Sequence, residues 1–249
     1  MDIITLNNNI YGVDIKCFND FIYKKSISLD KLWDEEIIDE ILNNLEENTD
    51  IIDIGANIGL ITLGILKKAN QNNTKINNIH CFECDPKIIT LLSYNISSIK
   101  NIIMYPFALS DTQELCNMTT LEENMGCNYI FKSNNNEKEI NYDYSMLFRT
   151  SNHKQNTNTN ILAIPLDSIK YNFKKKVSII KIDVEGYEIK VIKGAMDIIS
   201  IYRPIIIIEI FEKINFKQVM ELFINLNYKR YKKIQNKMYN NQDYVFFPD

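Results

Sequence analysis

Residues 51–60 read IIDIGANIGL, a short apolar run that meets Asp53 and then two glycines four positions apart. The chain has only 7 glycines in 249 residues, so a pair at this point has a local cause. An apolar run ending in a glycine turn predicts a buried strand whose carboxyl end lets another group approach the backbone closely. The residues after Gly59 open a helix, so the turn joins strand to helix.

Outward from this stretch the same rhythm repeats. Strand 51–54 leads to a helix through about Ala69, and strand 79–83 to a helix from Pro86 to about Ser98. Strand 102–107 follows, then strand 177–183, helix 187–200, strand 205–210 and helix 215–226. Such alternation predicts an α/β fold built on a parallel sheet covered on both faces. The closing runs YKRYKKI and DYVFFP, joined by an asparagine-rich turn, read as an antiparallel hairpin at a sheet edge. At the other end, DKLWDEEIIDEILNNLEE (30–47) has helical spacing at Leu32, Ile37, Ile41 and Leu45, with Asp30 as N-cap. Residues 10–29 alternate weakly and suggest one or two short strands. The expected organisation is one domain over 1–249, with an N-terminal extension 1–48 and an insertion 112–164.

Within that insertion, residues 133–160 are polar, asparagine-rich and short of apolar periodicity. A structureless loop of that length is either functional or a tolerated elaboration. As a lid it would overhang a bound substrate with Tyr142, Tyr144, Phe148, Arg149 and His153, side chains able to stack on a sugar ring or grip a phosphate.

Composition bounds the function. A chain 45% hydrophobic and 24% charged fits a soluble globular protein. A net charge of −4 argues against broad, sequence-independent nucleic-acid binding, which needs a positive field. The N-terminus MDIITLNNNI carries an early acid and no long apolar stretch, and the apolar run at 204–208 is too short to span a bilayer. The expectation is a cytoplasmic protein with no membrane partner. Cys81 and Cys84 form a CxxC, but a second pair at metal spacing is missing and the motif sits in a strand, which favours small buried thiols.

In open parallel sheets, ligands bind at the carboxyl ends of the strands. The turn is GxxxG rather than the GxGxxG of nicotinamide folds, and an acid before it suits a cationic ligand better than a pyrophosphate. S-adenosyl-L-methionine carries an ammonium and a sulfonium. Asp53, Gly55, Ala56, Asn57 and Gly59 are therefore candidates to hold it. Glu83, 24 residues beyond Gly59, ends the next strand and can accept hydrogen bonds from both ribose hydroxyls.

Residues 180–195, IKIDVEGYEIKVIKGA, closely resemble the hallmark of the FkbM family of S-adenosylmethionine-dependent methyltransferases. DIGANIG, FEC-DP and ALSD (108–111) fall in that family's order and spacing, and the resemblance covers roughly residues 30–230. It implies a Rossmann-like seven-stranded methyltransferase fold, mostly parallel, with the last strand antiparallel and helices on both faces. It also implies methylation of an oxygen on a small molecule, very often a sugar. Through its motifs it adds Cys84, Ala108 and Glu36 to the donor site and Asn128 to the acceptor site. One departure is Cys84, where the family usually has the proline of FEP; local packing changes but the Glu83 carboxylate stays.

Methyl transfer from a sulfonium is an in-line displacement, and a sugar hydroxyl needs a base. Asp183, Glu185 and Glu209 should gather on one sheet edge as candidate catalytic groups, with His153 as a second source of a base. Asp183 could instead cap the next helix, and Glu185 could bond the Gly186 turn. Glu209, in a run of isoleucines, is costly to bury unless paired or functional; Lys181 could be its partner in a structural ion pair, or Glu209 could be catalytic. An acidic trio could hold Mg²⁺ through oxygens, but nothing in the spacing requires a metal. Arg149 is a candidate acceptor contact, and His80 a packing or surface residue. The basic stretches 174–176 and 228–233 would favour a phosphorylated acceptor only if they face the pocket. The competing readings are a methyltransferase of nucleic acid or protein, and a non-catalytic S-adenosylmethionine-binding module.

Overall fold

A computed structural model describes residues 2–8, 10–19, 23, 27, 31–121, 129–132, 155–211, 215–234 and 241–249. The apolar runs form the strands expected of them. In chain order these are β3 (Asp50–Ile54), β4 (Ile79–Phe82), β5 (Ile102–Tyr105), β10 (Val177–Ile182) and β11 (Ile205–Phe211), with the hairpin β12 (Arg230–Lys233) and β13 (Asn241–Phe247). They make one seven-stranded sheet in the order β12-β13-β11-β10-β3-β4-β5. Neighbours from β11 to β5 run parallel, and β13 runs antiparallel to both β11 and β12. This is the Rossmann-like sheet expected from the sequence.

Strand periodicity of two sorts the isoleucines onto opposite faces. Ile51, Ile79, Ile179 and Ile207 join a core with α1 (Glu35–Asn44), α2 (Leu60–Asn72) and α3 (Pro86–Ile96). Ile52, Ile180, Ile206 and Ile208 join a second core with α4 (Glu188–Lys193), α5 (Met196–Tyr202) and α6 (Phe216–Asn225). On the first face the same parity carries Asp53, Cys81, Lys181 and Glu209, so polar chemistry succeeds apolar packing towards the carboxyl ends.

Three regions differ from the sequence expectation. The helix expected at 187–200 is two helices, α4 and α5, broken at Gly194–Ala195. A Cβ on Gly194 would lie 1.9 Å from the carbonyl oxygen of Ser110, so the helix yields to a close backbone crossing. Asp167 caps the restart, accepting from the N–H groups of Asp197 at 2.9 Å and Ile198 at 3.0 Å. The N-terminal strands β1 (Ile3–Asn8) and β2 (Val13–Phe18) start earlier than expected and form an antiparallel hairpin. Helix α1 starts after Asp34, which adopts φ 47°; Asp30 lies outside the described residues.

The insertion is the largest difference. Strands β6 (Ala108–Leu109), β7 (Glu114–Leu121), β8 (Tyr129–Lys132) and β9 (Gln155–Ile164) form a separate sheet in the order β6-β9-β7-β8. Residues 155–160, expected to be loop, pair with β7. Residues 133–154 lie outside the described residues. Cys116, Met118, Ile161 and Ala163 turn to a third core with Tyr187, while Leu115 and Leu162 face outward. Glu114 anchors this sheet to α4 by accepting from Lys190 at 2.8 Å and Ser110 at 2.6 Å.

Because Gly194 touches backbone rather than a flexible side chain, Gly194→Ala should lower stability by about 1–3 kcal/mol, the scale of overpacking. Calorimetry should show the thermal midpoint falling about 2–4 °C for each kcal/mol.

Candidate active site

The turn after β3 is built by conformations that few residues tolerate. Gly55 has φ 80°, Asn57 φ 51° and Gly59 φ 92°. The N–H groups of Gly55 and Ala56 both donate to the Phe82 carbonyl at 3.0 Å. A Cβ on Gly55 would lie 1.8 Å from the carbonyl oxygen of Asp183. The glycine therefore lets the first and last motifs of the sequence touch.

Glu83 ties in the second strand. Its Oε1 accepts from the N–H of Cys84 at 2.7 Å and of Asp85 at 2.9 Å, and its Oε2 from the N–H of Asn57 at 2.9 Å. Burial pushes its carboxyl up to about 7 against the pull of these N–H groups. A carboxylate offers about four lone-pair positions, so this arrangement leaves one for a ribose hydroxyl, not two. Ala56 is buried beside the turn. Cys84 and Ala108 belong to the third core, where Ala108 pairs with Ala163 of β9.

Beneath the turn lies a charge triad in which Asp53 and Lys181 are buried and Asp183 is partly exposed. Asp53 is fully buried and accepts from the Thr62 hydroxyl at 2.7 Å. Lys181 lies 3.4 Å from Asp53 and 3.3 Å from Asp183. Burial lowers the lysine pKa, but the two carboxylates outweigh burial and hold the ammonium above its ordinary value. The suggested Lys181–Glu209 pair is thus replaced, because Lys181 stands in register with Asp53 on the neighbouring strand. Asp53 itself offers no exposed oxygen to a ligand; it acts from within, through Lys181.

Asp183, Glu185 and Glu209 do converge, each placing a carboxyl oxygen within 4.8 Å of the others. Glu185 takes φ 49° and Gly186 φ 104°, a turn that throws the loop back over the sheet edge. The role of bonding that turn falls to Glu188, which accepts from the Gly186 N–H at 2.7 Å and from Asn215 at 3.1 Å. Burial, then the charges of Asp183, Glu185 and Asp243, push the Glu209 carboxyl far above the ordinary carboxylate range. These causes favour the protonated form of Glu209.

Two acids missed in the sequence reading join this field. Asp243 stands opposite Glu209 in the β11–β13 register. Asp34 is pushed up to about 7, by burial first and then by Asp243 and Asp183. Glu36 was the expected acid from this helix, but its carboxylate is exposed and sits 3.6 Å from Lys31. In WDEE three acids stand in a row, and only the helix start decides which one faces the sheet.

Other expected residues lie elsewhere. His153, Asn128 and Arg149 lie outside the described residues. His80 is buried near the amino end of the sheet, 3.3 Å from Asp50 and 3.2 Å from the Tyr105 hydroxyl. Lys174 and Lys176 also lie at the amino end, held by the Tyr171 carbonyl and Glu46. Lys232 pairs with Glu40 at 2.6 Å and Lys229 with Asp249 at 3.7 Å, so these cations are engaged away from the acidic cluster. Among the described residues, no helix is long and apolar enough to cross a membrane.

The family model described as "Methyltransferase FkbM domain" matches residues 53–238, which contain the glycine turn, Glu83, Asp183, Glu185 and Glu209. The chain belongs to the FkbM methyltransferase family. A solved FkbM methyltransferase from Methylobacillus flagellatus KT superposes with a TM-score of 0.52 at 15% identity, over 80% of this chain and 44% of that one. A precorrin-6y C5,15-methyltransferase from Geobacter metallireducens GS-15 gives a TM-score of 0.48 at 9% identity, covering 89% and 90% of the two chains. A ribosomal RNA small subunit methyltransferase A from Listeria monocytogenes is 31% identical over 84 residues, 33% of this chain and 26% of that protein. This FkbM chain therefore spans under half of the first solved relative and about a quarter of the curated one.

The Glu209 proton has a measurable consequence. A carboxyl whose folded pKa is raised holds a proton that the unfolded chain releases, so stability falls as pH rises from the ordinary carboxylate range. Glu209→Gln removes this linkage. Thermal melts should show the variant more stable than wild type at about pH 8, with the gap closing towards about pH 4.5. Parallel curves for the two proteins across that range would show that Glu209 ionises normally.

Proposed function

We propose that this FkbM protein transfers a methyl group from S-adenosyl-L-methionine to a hydroxyl oxygen of a sugar, free, nucleotide-linked or glycan-borne. The observation that carries the reading is the convergence of Asp183, Glu185 and Glu209 against the glycine turn through the Gly55–Asp183 contact. The turn and Glu83 hold the donor, and the carboxylates receive the acceptor. S-adenosylmethionine bound there would supply an electrophilic methyl group for the acceptor oxygen, with the neutral thioether as leaving group. The hydroxyl proton passes to Asp183 or Glu185. Alignment accounts for about 7–11 kcal/mol of the barrier and the base for ~10²–10⁴-fold.

Charge supports this assignment of partners. Asp34, Asp183, Glu185 and Asp243 face a donor that carries two cationic groups, whose field favours ionised carboxylates. The negative field of the carboxylates disfavours phosphates close to the reacting oxygen, which weighs against nucleic acid as acceptor and against a pyrophosphate lying near the methyl. Cys81 and Cys84 are free thiols, which suits a reducing, cytoplasmic compartment.

One observation favours a second reading. Three carboxyl oxygens within 4.8 Å form a set that a hard divalent cation such as Mg²⁺ takes. Asp183, Glu185 and Glu209 would hold it, and it would supply a Lewis acid for the acceptor oxygen.

Titration calorimetry tests the donor site first. Wild type should bind S-adenosylmethionine and its demethylated product at micromolar concentration or below. Glu83→Ala should weaken both about 10- to 150-fold, the worth of about 1.5–3 kcal/mol for hydrogen bonds to a charged group. Unchanged affinity would put the donor elsewhere. Donor binding without methyl release over a panel of sugars would favour the non-catalytic module, and release on RNA alone would favour a nucleic-acid acceptor.

Chelation separates the two chemistries. If the carboxylates work alone, chelator-treated enzyme should keep its rate and added Mg²⁺ should change little. Loss of activity restored by Mg²⁺ would recast the trio as ligands.

A further inference from the structure

The region before residue 53 lies outside the family match, yet it is bonded to the turn that the donor reading requires. The Tyr23 hydroxyl donates to Asn57 Oδ1 at 2.6 Å, and Tyr23 is only 3% exposed. The same Oδ1 accepts from the Ile58 N–H at 2.7 Å, and the Asn57 N–H reaches Glu83. A second link runs through Asn95 of α3, also buried. Its side chain pairs with both backbone groups of Lys16 on β2, accepting from the N–H at 2.8 Å and donating to the carbonyl at 3.0 Å. Its amide also donates to the Ile58 carbonyl at 2.9 Å. Ile15, Cys17, Phe18, Tyr23 and Ile27 pack in the same core as Ala56 and Ile58.

We infer that the N-terminal arm is part of the donor pocket and that Tyr23 is its positioning residue, acting through Asn57 on Glu83. The inference rests on the donor reading above. Asn57 is held in the left-handed region, where a non-glycine residue needs support from its surroundings. Tyr23 and the Ile58 N–H together lock its side chain. That lock aims the Asn57 N–H at Glu83 Oε2, the oxygen with a position left for ribose. Without the tyrosine hydroxyl the asparagine carbonyl loses one of two donors and the turn loosens before any ligand arrives. The tyrosine touches neither donor nor acceptor in this scheme, so its effect falls on binding and spares the chemical step.

Tyr23→Phe keeps the ring packing and removes only the hydroxyl. The expected result is a two- to tenfold rise in the dissociation constant and KM for S-adenosylmethionine, the net worth of about one hydrogen bond, with kcat at saturating donor unchanged. Amide exchange in the donor-free protein should quicken at residues 55–59 and stay as in wild type in the β10–β11 core. In an Asn57→Gly background, where φ 51° suits glycine and the acceptor is gone, Tyr23→Phe should add nothing. Unchanged exchange and donor affinity in Tyr23→Phe would overturn the inference. So would an equal loss in the Asn57→Gly background, since Tyr23 would then act by another route. A wild type that binds no donor is a different failure, that of the donor reading itself, and the exchange experiment still reports whether Tyr23 orders the turn.

Discussion

Lys181 is the charge on which the carboxyl end of the sheet depends. It is 6% exposed and stands between Asp53 and Asp183. Taking the Lys181 and Asp53 charges from water costs several kcal/mol per ion, and the attraction offsets this only when each has its partner. Removing the lysine would leave two carboxylates without their cation beside Glu209 and Asp34, whose carboxyls burial and neighbouring charge already push up. The triad fixes the Asp183 backbone as well as its side chain: Asp183 donates its N–H to the Ile54 carbonyl at 3.0 Å, just before the turn begins. The glycine turn and the acidic loop both hang from that seam between β3 and β10.

Glycine is used sparingly, and two of its positions answer the same need. Gly55 meets the Asp183 carbonyl and Gly194 meets the Ser110 carbonyl, backbone against backbone in both cases. The first contact joins the donor turn to the acidic loop. The second docks the small sheet onto the α4–α5 pair, and the Glu114–Lys190 ion pair fastens it. The insertion is thereby held against the same loop that carries Asp183 and Glu185. Tyr187 reports the link, since it packs in the third core and accepts from Lys190 at 2.8 Å while standing two residues from Glu185.

The sheet was legible because its strands are isoleucine runs bounded by turns, a signal that needs no tertiary context. Asp183, Glu185 and Glu209 were legible for a related reason: acids at the ends of buried strands have few places to go. What failed to show were choices made across the chain. Gly194 inside a helical pattern gives no sign that Ser110 crosses it. Residues 155–160 are polar in sequence, and their pairing depends on β7, about forty residues earlier. Glu36 and Asp34 are chemically alike, so the acid of α1 was settled by where the helix starts. Lys181 was matched to Glu209 by proximity along the sheet, whereas register set it beside Asp53. Tyr23 sits in a weakly patterned stretch, and its role follows from a single hydroxyl reaching the turn.

The acidic field has a physical logic that binds these pieces together. Asp34, Asp183, Glu185, Glu209 and Asp243 crowd around one lysine, and their mutual repulsion adds to burial in pushing the Glu209 carboxyl up. Any cation that enters offsets that repulsion with its own charge, so the repulsion becomes differential affinity. On the donor reading, a sulfonium donor would do this as it binds, and its demethylated product, neutral at sulfur, would do so less. On the same reading, the step that neutralises the sulfur also removes the charge that held the carboxylates ionised. The cluster can then take up a proton as the acceptor gives one up. The same carboxylates that favour the charged donor thus cease to favour the product, and loss of the methyl group itself weakens the hold on what remains.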